Sequence, residues 1–104
     1  QVPSPGVPIW LGILRGAAGD AVFEAVAAER WADEAHRVHG VVQDALQEHS
    51  LNPRDIEAAV RQALLPPLFA LMGLERASHA INQVIRAAGV GPHRRHIEAL
   101  TGRR

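Results

Sequence analysis

Apolar side chains recur along most of this chain at steps of three and four residues, the period of an α-helix packed on one side. Ala28, Trp31, Ala35, Val38, Val42 and Ala45 step 3, 4, 3, 4, 3 and define one face of a helix over residues 20–49. Asp20 suits its N-cap, with Phe23 and Glu24 in the first turn. Opposite charges fall four residues apart, Arg30 with Glu34 and Asp33 with Arg37. Each such pair adds only about 0.2–0.5 kcal/mol. Gly40 is the weak point, disfavoured by up to about 1 kcal/mol relative to Ala, and is expected to kink or divide this helix. Residues 50–53 form a break. Asn52 is a good N-cap, Pro53 suits the first helical position, and Asp55 sits near the positive helix end. The helix that follows is expected to bury Ile56, Ala59, Val60, Ala63 and Leu64. Pro66 and Pro67 lack N–H groups and are expected to end or kink it. Leu68, Phe69, Leu71 and Met72 form an apolar cluster closed by Gly73, a residue suited to a helix C-terminus. A last helix over residues 74–88 places Leu74, Ala77, Ile81, Val84 and Ala88 on one face. Glu75, His79, Asn82, Gln83 and Arg86 lie on the other, and Gly89, Gly91 and Pro92 stop it.

The two ends read differently. Residues 1–8 hold Pro3, Pro5, Gly6 and Pro8 and suit a tether rather than a helix interior or a central strand. Gln1 in place of Met leads us to expect a cut chain or part of a larger protein. The run from Ile9 to Leu14 predicts one helical turn or a short edge strand, ended by Gly16 and Gly19. Residues 93–104 predict a short terminal helix or a frayed end. The expected organisation is a linker over residues 1–19, a helical domain over 20–91 and a basic tail over 92–104. No alternating pattern is long enough for a sheet, and no repeat is visible. The expected fold is all-α, an irregular bundle of about four helices.

Composition narrows the classes. The chain has 104 residues, 47% apolar and 21% charged, with 18 Ala. One domain of this size buries roughly two-thirds of the surface its unfolded chain exposes, so a core needs no staples. With no Cys, disulfide scaffolds, thiolate metal sites and Cys nucleophiles are excluded. No apolar run approaches the roughly 20 residues that span a bilayer, and no signal-peptide pattern is present. No membrane contact and a cytoplasmic, bacterial setting are expected. All 11 basic residues are Arg, balanced by 11 acids, which argues against a generally basic nucleic-acid binder. The exclusive use of Arg fits a GC-rich genome, and Arg makes bidentate contacts that Lys cannot. Charge is uneven, however. Residues 1–52 carry three Arg against seven acids, or −4; residues 53–104 carry eight Arg against four acids, or +4. Either the halves pack on each other, or a basic face meets an acidic partner or phosphate.

Catalytic patterns are weak. Asp33, Glu34, Ala35 and His36 spell a helicase Walker B box, but no apolar strand precedes them and no phosphate-binding Gly-rich loop exists. His36 and His39, with Asp33 a turn earlier, have legitimate metal-ligand spacing on one helix face, yet nothing supplies the remaining ligands. His93 and His96 form a similar pair in the tail, where Arg94 and Arg95 are candidate phosphate contacts. Ser4, Ser50 and Ser78 sit in no nucleophile elbow, and Glu57 and Glu75 are isolated. No catalytic, cofactor-binding or metal residue is therefore assigned. The large apolar groups Trp10, Trp31, Leu68, Phe69 and Met72 either fill one core or cover a partner. Trp31, Pro66, Pro67, Leu68, Phe69 and Met72 are the candidate interface, with the corner at Pro66–Phe69 the first place to look.

Residues 52–91 resemble the C-terminal end of the R (restriction, motor) subunit of type I restriction–modification enzymes. The resemblance rests on Asn52-Pro53, Ile56-Glu57, Arg61, Leu64-Leu65-Pro66, Leu68-Phe69, Gly73-Leu74, Ala77, Val84-Ile85 and Val90-Gly91. These are packing and capping residues. The resemblance implies a parent that is an ATP-dependent DNA translocase and type I site-specific deoxyribonuclease, whose catalytic motifs lie upstream of any segment like this one. It implies an assembly domain over residues 20–91 that docks the motor subunit onto a methyltransferase-type subunit, with DNA reached through the larger complex. Two other functions remain open: a helical DNA-binding module using the basic half, and a homodimer of heptad-spaced faces.

Overall fold

Five helices, and no strands, make up the described part of the protein, residues 6–49 and 52–89 of a computed structural model. They are α1 (Gly6–Ala18), α2 (Asp20–Ala25), α3 (Ala28–Glu48), α4 (Pro53–Met72) and α5 (Leu74–Ala87). The architecture is all-α. The four long helices close a ring of contacts, in which α1 and α4 each pack against both α3 and α5, while α2 braces α1.

The main departure from expectation is at the N-terminus. The segment expected as a linker is, from Gly6 onward, a thirteen-residue helix of the core. Pro8 is tolerated because it lies in the first turn, where backbone N–H groups have no partner within the helix. Trp10, Leu14 and Ala18 recur every four residues and are buried, with Gly12 and Gly16 exposed. The Trp10 indole also donates to Nδ1 of His39 on α3, at 3.3 Å. The domain thus reaches back at least to Gly6, and the irregular bundle has five helices among the described residues.

The single helix expected over residues 20–49 is two. Gly19, at φ 84°, precedes α2, so Asp20 is the first helical residue and not the cap. Val26 and Ala27 are extended between α2 and α3. The cause is specific. An unbroken helix would give the Phe23 carbonyl to the N–H of Ala27. Here it accepts the backbone N–H of Val26 at 3.4 Å and the indole N–H of Trp31 at 2.7 Å, and the Phe23 ring stacks on Trp31 with centroids 4.8 Å apart. Beyond this break α3 runs through Gly40 undivided.

Pro66 and Pro67 do not end α4 either. Ile56, Val60, Leu64, Leu68 and Met72 form one buried row at steps of four that passes through both prolines. Such a row packs as a ridge in the groove of a neighbouring helix. A proline in a helix interior is disfavoured by about 3 kcal/mol, whereas burying each Leu or Met contributes about 1.5–3 kcal/mol. Packing therefore holds the helix. The two carbonyls left without their N–H donors, on Gln62 and Ala63, belong to exposed residues, on the side of the helix that faces solvent. Asn52 caps α4 as expected, its side-chain oxygen accepting from the N–H groups of Arg54 and Asp55. Gly73, at φ 84°, ends α4 and turns the chain directly into α5. On α5 the buried residues are Ala77, Ala80, Ile81, Val84 and Ile85, while Leu74, expected inside, is 57% exposed. Among the described residues no helix is long and apolar enough to cross a membrane.

Candidate functional site

The candidate interface divides sharply. Trp31 and Leu68 are almost completely buried, and Met72 is 7% exposed. These three belong to the core and offer a partner nothing. Pro66 and Phe69 are exposed and Pro67 is half-buried. The reason is the four-residue row: a helix whose Leu64, Leu68 and Met72 point inward must present Gln62, Ala63, Pro66, Phe69 and Ala70 outward. Phe69 is 54% exposed, and Leu74, just past the turn, is also turned out to solvent. From Gln62 to Leu74 the sequence contains no charged residue. The second half of α4 is thus apolar on both faces, the composition of a helix covered on both sides. One side is covered by α3 and α5; the other is open.

The polar candidates are used locally. Glu34, the second residue of the Walker B-like tetrad, is 1% exposed and accepts from the Nε groups of Arg30 (3.3 Å) and Arg37 (3.2 Å) on its own helix. Arg37 thus pairs with Glu34 and not, as the spacing suggested, with Asp33. Asp33 is exposed, and His36 lies 2.9 Å from the carbonyl of Ala32. His39 faces Trp10. The four residues therefore straddle the helix, with Asp33 and His36 exposed and Glu34 and Ala35 buried. Among the described residues no group of three or more His, Asp or Glu could hold a metal ion. Glu57 is not isolated: it accepts from Arg61, which also donates to Asn82 at 2.7 Å and so ties α4 to α5. Periodicity and spacing do not reveal this contact, because nothing local relates residues 61 and 82.

The described residues also line open grooves. One, about 450 Å³, runs between Ile9, Gly12, Ile13, Gly16 and Ala17 of α1 and His79 and Gln83 of α5. Another, about 400 Å³, lies at Asp44, Gln47 and Glu48. Neither gathers a nucleophile with a base, so neither suggests a reaction. Arg94, Arg95, His93 and His96 lie outside the described residues, as do Ser4 and Ser50. Compared with family models, with curated proteins and with solved structures, the chain gives no significant match.

Proposed function

We propose that this chain is a non-catalytic assembly domain, whose bundle holds the outer face of α4 ready for another polypeptide. One observation carries the reading: the uncharged face of Gln62, Ala63, Pro66, Phe69 and Ala70 is exposed on a helix whose opposite face is already buried. Large exposed apolar groups on a rigid element are typical of protein-binding surfaces. The finer form of the proposal rests on the resemblance of residues 52–91 to type I restriction R subunits: the polypeptide held is a methyltransferase-type subunit, and DNA is engaged only by the whole complex. The DNA-binding alternative has less support. Its reading helix would be α5, where Arg76 and Arg86 are exposed but lie about 15 Å apart along the axis.

Capture of a methyltransferase-type subunit tests the finer form. Binding by the parent at micromolar concentration, lost in Phe69→Asp, is expected. Equal capture by both chains would remove α4 from the interface. A DNA affinity that falls steeply with salt, unaffected by Phe69→Asp, would favour the DNA-binding alternative instead.

A further inference from the structure

We infer that α2 is a strap over Trp31 that opens as a unit while the ring of four long helices stays closed. The inference does not depend on what binds the outer face of α4. None of the six residues of α2 is buried. A helix that short is not stable by itself in water, so its contacts must hold it in place. It has no side-chain N-cap bond, and among the described residues Asp20 and Glu24 make no ion pair. Both ends are joints. Gly19, at φ 84° and ψ 157°, holds a conformation open almost only to glycine, and Val26 and Ala27 are extended. Rotation at these joints swings α2 outward without unwinding α1 or α3.

The fastening is concentrated at Phe23. Its ring stacks on Trp31, and the Arg15 guanidinium of α1 lies 5.2 Å from the ring centroid. Its carbonyl accepts the Trp31 indole N–H at 2.7 Å. Val22 and Val26 add partial burial against the core. Opening α2 gives up these contacts and little else. Opening the ring would instead bare Leu14, Leu64, Leu68 and Val84, all at 0% exposure. The two events differ widely in the apolar surface they expose, and so in free energy, which makes α2 a separate unit of local unfolding. The open strap presents one face of the Trp31 ring and an indole N–H, a group that can only donate, released from its acceptor.

Hydrogen exchange of the full chain, followed by NMR, tests this, with the Trp31 indole N–H as the reporter. That proton and the Phe23 amide, which donates to the Gly19 carbonyl at 2.9 Å, should exchange through one shared opening. Their protection should be at least about 100-fold lower than that of the Val38 and Leu64 amides. Low urea should leave the Trp31 opening almost unchanged while promoting exchange at Val38, because the urea response follows the surface exposed. Ile81→Val weakens the ring whether α2 is open or closed. It should raise exchange at Val38 about 2- to 12-fold and leave the Trp31 indole as it was. Phe23→Ala weakens the closed strap alone, so it should promote exchange at Trp31. A Trp31 indole that responds to urea and to Ile81→Val in step with Val38 would overturn the inference. So would one whose exchange Phe23→Ala leaves unchanged.

Discussion

Glu34 shows how much one residue's environment depends on its neighbours. Its carboxylate is buried, but the arginines that reach it, Arg30 and Arg37, are each about half exposed. Either arginine alone still supplies a charged donor. Removing both strands a buried charge, and a buried ion that loses its partners is strongly destabilising. Water reaching the exposed side reduces that penalty, so Arg30→Ala with Arg37→Ala should lower stability by roughly 1–3 kcal/mol. The single variants should lower it much less. Urea titration of the three variants checks this, and additive effects would mean that the two arginines do not share Glu34. Gly40 presents the opposite case. It is exposed inside a continuous helix, and an added Cβ would meet nothing within 4 Å. Gly40→Ala should therefore stabilise the protein by about 0.5–1 kcal/mol. In a domain of this size that raises the melting temperature by several degrees; an unchanged or lower temperature would contradict it.

At the scale of elements, helix periodicity was legible wherever side-chain size and polarity alternated strongly. Five of the six residues of the expected face on α3 are buried, Ala28 being the exception. The breaks were less legible, because packing decided them. Trp31 takes the Phe23 carbonyl and so splits a helix that has no proline or glycine at the break. The row from Leu64 to Met72 keeps a helix intact across two prolines. The first helix was missed for a related reason: its glycines and prolines dominated the local reading, while its contribution to the core is tertiary. Leu14 is fully buried, so Leu14→Ala should lower stability by about 2.7–5 kcal/mol. A tether residue would tolerate the change. Chemical denaturation distinguishes the two, and a loss below 0.5 kcal/mol would mean that α1 does not dock.

For the whole molecule, the ring of four long helices leaves one half-helix of α4 apolar on its outer side. Folding and assembly separate at that face. Phe69 is 54% exposed, and an Asp near the C-terminal end of α4 meets the unfavourable end of the helix dipole. Phe69→Asp should therefore lower folding stability by no more than about 1 kcal/mol while abolishing association. Thermal melting beside light scattering would show both. A variant that melts far below its parent would place Phe69 in the core instead.

The sequence alone determined the helical class, the cap at Asn52, the turn at Gly73 and most of the buried residues of α3 and α5. These depend on side chains within one or two turns of each other. It also named Pro66 and Phe69 among the candidate interface residues, but in one group with Trp31, Pro67, Leu68 and Met72. Only the tertiary structure separated the two sets, admitted α1 to the core, moved Arg37 from Asp33 to Glu34 and tied Arg61 to Asn82. Which side of an apolar helix is covered depends on the crossing of other helices over it, and no local pattern encodes that crossing.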